Sequence, residues 1–454
     1  MNFGPVFGPA DPRTDAQRAA DRRTTDRLVE KMSTLDDSAD GLQARVLHHL
    51  QRRRAHRPTG FVRFDLLEGA AAGVVVTPGE VLLRRTTFES PEFRSYLSTA
   101  GLDGVSPTPV DGLDGHLLRL AVGAGQASAV RAYAGGSAEA APVELSHVAE
   151  AMGVVKKATP PVLSAGGAPA PPAFPAQPAP SGVRPVRIAI IDTGITDQPR
   201  TDGWLTTIPV TPANLDGLDL LPQPNHKLDF AAGHGTFVAG VVQQVAPAAE
   251  VTIRRAIDTD GMASTVDLAV EMVAAARAGA DVLSLSFGLE TEGDAEPLPF
   301  QIALDLIEEL RTEGRKIVVV AAAGNSGTDR ITWPGASPHV LAVAGLTQDM
   351  APAAWSTHGD WVDCSTVAEG VRSTFPQGVA DSDADFRDDE AEEYGPDAWV
   401  LWVGTSFAAP QVAGAIADLA GRYGVDVETA RDLLLAGCER AAGYGRKLEI
   451  LPNT

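Results

Sequence analysis

From residue 186 onward, short continuous apolar runs alternate with stretches whose apolar residues recur at helical spacing. The runs 186–191, 251–255, 282–286, 317–322 and 340–344 read as strands buried on both faces. The stretches 235–245, 265–278, 300–311, 406–422 and 427–435 read as amphipathic helices. Together they predict an α/β fold: a doubly wound, mostly parallel sheet covered on both faces, over residues 184–446. Residues 60–150 follow another rhythm. Alternating apolar and polar residues at 61–66, and apolar runs at 73–76 and 80–84 flanking a Thr77-Pro78-Gly79 turn, read as strands. Residues 116–121 and 143–148 add two more strands, and 91–100 and 126–134 read as helices, so this block predicts a small α+β domain. Residues 1–58 are polar. The spacing of Leu28, Met32, Leu35, then Leu42, Val46 and Leu50 predicts a helical segment over 12–58, broken near 38–41.

Between these blocks, residues 151–183 carry Pro160, Pro161, Pro169, Pro171, Pro172, Pro175, Pro178 and Pro180 among Ala, Gly and Ser. Such a stretch does not bury a core and predicts an extended linker. The 454-residue chain has 37 Lys+Arg against 59 Asp+Glu, a net charge of −22. That balance argues against a nucleic-acid binder and against an anionic membrane surface. No run of 18 apolar residues is present, and residues 1–23 lack the apolar core of an export signal; the expected compartment is the cytoplasm. Two cysteines, Cys364 and Cys438, exclude a disulfide scaffold and are expected as free thiols.

The acidity is local. Asp381, Asp383, Asp385, Asp388, Asp389, Glu390, Glu392, Glu393 and Asp397, against Arg387, contribute −8 of the −22. A solvated acidic loop is the expected form, because the Gly-punctuated pattern of a calcium loop is missing. The first 58 residues run the other way, and Arg52-Arg53-Arg54 closes that segment either as a solvated helix end or as a docking patch for acidic groups. His48-His49 lack a ligand partner at suitable spacing, so no metal site is expected.

Four short motifs stand in the α/β region: Asp192-Thr193-Gly194, Gly233-His234-Gly235-Thr236, Ala323-Gly324-Asn325-Ser326-Gly327 and Gly404-Thr405-Ser406. Each alone reads as a turn, a cap or a structural His. As a set they fall where open parallel sheets bind ligands: Asp192 and Asn325 follow strands, and His234 and Ser406 open helices. A Ser hydroxyl becomes a nucleophile when an imidazole accepts its proton, a carboxylate orients that imidazole, and an amide and a backbone N–H hold the oxyanion.

In this order and setting the motifs resemble the subtilisin-like serine protease family over about residues 184–445. The resemblance implies Ser406 as nucleophile, His234 as general base and acid, Asp192 as its orienting group, and Asn325 with the Ser406 N–H as oxyanion hole. It further implies that Ser286, Phe287 and Gly288 form a substrate-binding strand and that Ala322, Ala323 and Gly324 line the facing wall. Asp260, Gly261 and Met262 would form the opposite edge. Phe237 stands where the family often has His, Leu289 where a second Gly is common, and 367–370 replaces an Ala-Pro-Gly turn. Residues 60–150 resemble the family's propeptide-like domain in pattern and position, which implies that their end lies in the cleft like a product; an unrelated accessory domain is the alternative. The expected function is thus a serine endopeptidase working through an acyl-enzyme, held in check by its N-terminal region or by a regulatory protein partner. Its expected ligands are peptides or proteins, not nucleic acid or membrane. No cofactor is required, and a structural calcium has no support in the sequence. The alternative is a catalytically silent pseudoprotease that binds peptides or partners.

Overall fold

The computed structural model describes residues 11–34, 50–54, 63–66, 75–123, 126–127, 129–130, 143–151, 161–164, 170, 184–221, 223–381 and 392–451. The N-terminal part contains α1 (Asp15–Thr34), β1 (Val75–Arg84), α2 (Pro91–Thr99), β2 (Leu117–Ala121), β3 (Val143–Ala151) and β4 (Val162–Leu163). The C-terminal part begins with β5 (Arg187–Asp192), α3 (His234–Val245), β6 (Glu250–Arg255), β7 (Met262–Ser264) and α4 (Thr265–Arg277). It continues with β8 (Val282–Leu285), β9 (Phe287–Gly288), α5 (Leu298–Thr312), β10 (Val318–Ala322), β11 (Leu341–Leu346) and β12 (Cys364–Val367). It ends with β13 (Val371–Thr374), β14 (Trp399–Trp402), α6 (Ala409–Tyr423), α7 (Val427–Leu435) and β15 (Gly445–Leu448).

The central sheet runs β15-β12-β11-β10-β8-β5-β6, with every one of these pairs parallel. Its strands are buried on both faces because their alternate residues feed two cores. Ile188, Ile190, Val318 and Val320 pack with Val238 and Val241 of α3 and Val412 and Ile416 of α6. Ala189, Ile191, Leu283 and Val319 pack on the other face with Val266 and Met272 of α4 and Ile302 and Leu306 of α5. The chain leaves β5 for β6 on one side and then crosses back to β8 on the other. The carboxyl ends of β5 and β8 therefore flank the switch point where such sheets form their crevice.

β1, β2 and β3 make an antiparallel sheet. One face carries its own small core of Val81, Leu83, Phe93, Leu97, Leu118 and Leu145. The other face gives Leu82, Leu117 and Val148 to the cluster built on α4 and α5. This sheet is thus apolar on both sides and completes its burial only against the α/β part. It is also continuous with it. β3 pairs antiparallel with β7 (Val148↔Ser264, Ala149↔Ala263, Glu150↔Met262) and with β9 (Gly288↔Glu150, Phe287↔Ala151).

Several expectations are corrected. Thr77-Pro78-Gly79 is no turn between strands: β1 runs through it, and the register against β3 shifts between Val76 and Val81 as a bulge. Ser406 does not open the long helix, since Thr405–Phe407 is a single 3₁₀ turn and α6 begins at Ala409. Part of the linker joins the fold as a strand rather than only spanning between domains, since β4 pairs with β14 (Leu163↔Val400). Within 12–58, residues 15–34 and 50–54 are helical, whereas the break at 38–41, Leu42, Val46 and His48-His49 lie outside the described residues. So do most of the linker, parts of the 61–66, 73–76 and 126–134 elements, and the acidic stretch 382–391. Arg85–Glu89, α7's neighbour β15, and the strands β12 to β14 extend the pattern beyond what periodicity indicated. Both cysteines are free. Among the described residues no helix is long and apolar enough to cross a membrane, and no group of three or more His, Cys, Asp or Glu is arranged to hold a metal.

Candidate active site

Asp192 ends β5 and His234 begins α3, and the two loops meet backbone to backbone. A Cβ on Gly235 would lie 2.2 Å from the Gly194 carbonyl oxygen, so the approach requires glycine there. The result is a fully buried carboxylate whose Oδ1 lies 2.7 Å from His234 Nδ1 and accepts from the Thr193 N–H at 2.7 Å. Nδ1 thereby carries the proton and Nε2 is left as the acceptor. That Nε2 is buried without a protein hydrogen-bond partner. The imidazole rests in an aromatic cage: Trp402 lies edge-on at 5.4 Å and Phe407 tilted at 5.4 Å. Phe237 backs both, at 5.5 Å from Trp402 and 4.5 Å from Phe407. Phe237, one of the departures from the family pattern, therefore packs behind the two rings that flank the imidazole.

Ser406 sits in the 3₁₀ turn between β14 and α6. Its backbone carbonyl accepts from the Ser286 hydroxyl at 2.8 Å, and its own hydroxyl donates to the Ser286 carbonyl at 3.4 Å. This clasp fixes the Ser406 turn against the strand that β9 continues. Asn325 follows β10 and its Oδ1 accepts from both the Thr405 N–H (3.0 Å) and the Thr405 hydroxyl (2.9 Å). With Oδ1 engaged, Nδ2 faces the Gly404 backbone, 3.5 Å from where a Cβ would stand. The Thr405 hydroxyl oxygen in turn accepts from the Gly324 N–H at 3.1 Å. The structure thus brings Asp192 to His234 and Asn325 to Thr405, next to Ser406, while Phe407 on the other side of Ser406 lies against the His234 ring; His234 Nε2 and the Ser406 hydroxyl, which donates to Ser286, are not hydrogen-bonded to each other.

Sequence reasoning missed two supports. Thr405 stood inside a quoted motif, but its hold on Asn325 needs the fold to be seen. Asp216 carried no signal at all. It is buried, and its carboxylate accepts from the Thr193 hydroxyl (3.0 Å), the Gly233 N–H (2.9 Å) and the Leu218 N–H (3.2 Å). It so ties the Asp192 loop to the His234 helix start, and burial pushes its pKa up to about 6 against those three donors.

The residues expected at the two edges lie on or beside two strands that both pair with β3. Phe287 and Gly288 are β9, Met262 opens β7, and β3 lies between them as a third strand. Ala322 and Ala323 are buried at the end of β10, beside Gly324. Asp260 belongs to the loop leading into β7, where it meets a guanidinium of the N-terminal segment: Arg53 Nε lies 3.1 Å from Asp260 Oδ2.

A model of the subtilase family matches residues 184–445. Subtilisin BL of Lederbergia lenta is 28% identical over 243 residues, 51% of this chain and 75% of that protein. The thermophilic serine proteinase of Bacillus sp. (strain AK1) is 29% identical over 256 residues, 54% of each. Among solved structures, fervidolysin from Fervidobacterium pennivorans, described as a keratinolytic enzyme related to subtilisin, aligns with TM-score 0.54 and 19% identity. That alignment covers 85% of this chain and 62% of the other, so the likeness of fold extends beyond residues 184–445.

Proposed function

The chain belongs to the subtilase family of serine endopeptidases, and from that premise we propose that it hydrolyses peptide bonds at Ser406 and is restrained by its own strand β3. Ser406 Oγ attacks the scissile carbonyl carbon while His234 Nε2 takes the hydroxyl proton. The proton passes to the departing amine as the C–N bond breaks, leaving an ester on Ser406. Water then attacks the ester, gives its proton to Nε2, and the acid product leaves as Oγ recovers a proton. Asp192 accepts from Nδ1 and orients the imidazole, a role supported by the 2.7 Å contact. Asn325 Nδ2 and the Ser406 N–H hold the oxyanion, supported by the Thr405 clamp on Oδ1. Ser286, Phe287 and Gly288 with Gly261 and Met262 pair with the substrate backbone, and Ala322, Ala323 and Gly324 face them across the pocket.

One observation carries the restraint. A strand of the chain itself, β3, pairs with both edges and ends opposite Phe287, one residue from the Ser286 that clasps Ser406. A substrate adding a strand there must displace it. The full chain should hydrolyse a peptide panel slowly, lose that activity in Ser406→Ala, and gain rate in Leu82→Ser, which removes a buried contact between the β1 sheet and the α4–α5 face. Hydrolysis that survives Ser406→Ala would overturn the catalytic reading, and an unchanged rate in Leu82→Ser would overturn the restraint.

A further inference from the structure

Beside the cleft lies a pocket of four aspartates, each nine-tenths or more buried: Asp229, Asp258, Asp260 and Asp381. Two leader guanidiniums fill it. Arg53 reaches Asp229 at 2.8 Å, Asp260 at 3.1 Å and Asp381 at 3.5 Å, and also donates to the Leu221 carbonyl at 2.6 Å. Arg54 reaches Asp258 at 2.8 Å. The carboxylates outnumber the guanidiniums, and Asp258 Oδ2 and Asp260 Oδ1 are buried with no hydrogen-bond partner. Burial, and after it the neighbouring Asp260 charge, pushes Asp229 up to about 7. Four buried acids are a costly way to seat a leader peptide, which an apolar patch would hold as well.

The walls of the pocket belong to the cleft. Asp229 lies on the segment that leads into His234, and Asp258 and Asp260 on the loop that leads into β7, with Asp258 Oδ1 holding the Asp260 and Met262 N–H groups. In the register of β3, Glu150 faces Met262. A strand continuing past that residue toward the reacting centre runs by Gly261 and Asp260. The β3 sequence 143–151 has no Lys or Arg. The strand in the cleft therefore leaves the pocket to a guanidinium supplied by a separate segment.

We propose that this pocket is an arginine-recognition subsite: it reads the guanidinium of a substrate arginine at or next to the position Ala151 holds, and Arg53 and Arg54 occupy it until the leader yields. The proposal rests on the peptidase reading for its biological use, but not for its test. In the Ser406→Ala full chain, binding of N-acetyl-arginine amide is compared by titration calorimetry with binding of the citrulline analogue, which keeps the shape and loses the charge. The chain with Arg53 and Arg54 should bind neither. Adding Arg53→Ala and Arg54→Ala should create a site preferring arginine over citrulline by about tenfold or more, and Asp260→Asn should remove that preference. Equal binding of the two ligands, or none, would overturn the proposal, as would a site that takes calcium and is indifferent to arginine. If the double variant does not fold, Arg53→Ala alone is melted with ethylguanidinium or ethylurea. A rise in midpoint with the guanidinium only supports the pocket, and no rise contradicts it. Failure of peptide hydrolysis in the wild-type chain would leave these binding results standing and would count against the peptidase reading alone.

Discussion

At the scale of single residues, the crevice is a set of clamps. Asp192 is useful because Thr193, Gly194 and Gly235 let two loops touch, and Asn325 because Thr405 takes its carbonyl oxygen. Replacing His234 or Ser406 by Ala should abolish turnover, on the order of the 10⁶-fold loss in kcat measured for subtilisin. Asn325→Ala should cost about 10²–10³-fold, the scale of losing one oxyanion donor; a loss under about tenfold, read from steady-state kcat, would contradict its role. Asp216 gives a stability test. Its carboxyl is raised in the folded chain, to about 6 from 3.8, so the folded state binds more protons than the unfolded state between those values. Its contribution is therefore favourable at low pH and is lost as pH rises through about 6. The thermal midpoint of wild type relative to Asp216→Asn should fall between pH 4 and pH 6.5, by an amount equivalent to at most about 3 kcal/mol. A difference that is flat with pH would show that Asp216 does not titrate there. The residues proposed to do the chemistry were legible because each sits in a short motif of small neighbours. Asp216 was not, since nothing within its own segment distinguishes it from a loop acid.

Elements were legible where periodicity was clean. The strands feeding both faces of the central sheet could be read from their continuous apolar runs, and α3, α4 and α5 from their stripes. β1 was split in two because Thr77-Pro78-Gly79 has turn composition, while in the fold it forms a bulge whose ladder resumes at Val81. β4 was hidden in a Pro-rich stretch, because a two-residue strand is specified by its partner β14 and not by its own composition. The docking of β3 on two strands of the α/β part is a long-range pairing that no local pattern encodes. It is reinforced at its start by Glu144, whose carboxylate lies 2.7 Å from His147 Nδ1 and accepts from the Leu298 N–H at the start of α5 at 2.5 Å. Glu144→Ala removes a charged helix cap, worth about 1–2 kcal/mol. The expected result is faster hydrogen exchange over 143–151 and faster peptide hydrolysis by the full chain. Unchanged exchange would show that the cap does not hold the strand.

On the scale of the whole molecule, oppositely charged segments far apart in the sequence meet. The basic leader places Arg53 and Arg54 in carboxylates of the α/β part, and one of them, Asp381, begins the acidic stretch. A buried acid near Glu144 of β3 makes the docking of that strand open to a pH test. Burial pushes Glu296 up to about 7 against a hydrogen bond to Ser337, helped by the nearby charges of Asp305 and Glu144. A raised carboxyl favours the docked state at low pH and opposes it as the group ionises through about 7. Exchange protection of 143–151 should therefore weaken from pH 6 to pH 8 in the wild type and less so in Glu296→Gln. Identical profiles would assign the pH response to another group. The central claim is that Ser406 is the nucleophile of a crevice completed by His234. It is tested most directly by treating the full chain with a fluorophosphonate and mapping the adduct by mass spectrometry. A single adduct on Ser406, lost in His234→Ala and formed faster in Leu82→Ser, is the predicted result. An adduct on any other residue, or none in the Leu82→Ser chain after prolonged treatment, would contradict the account.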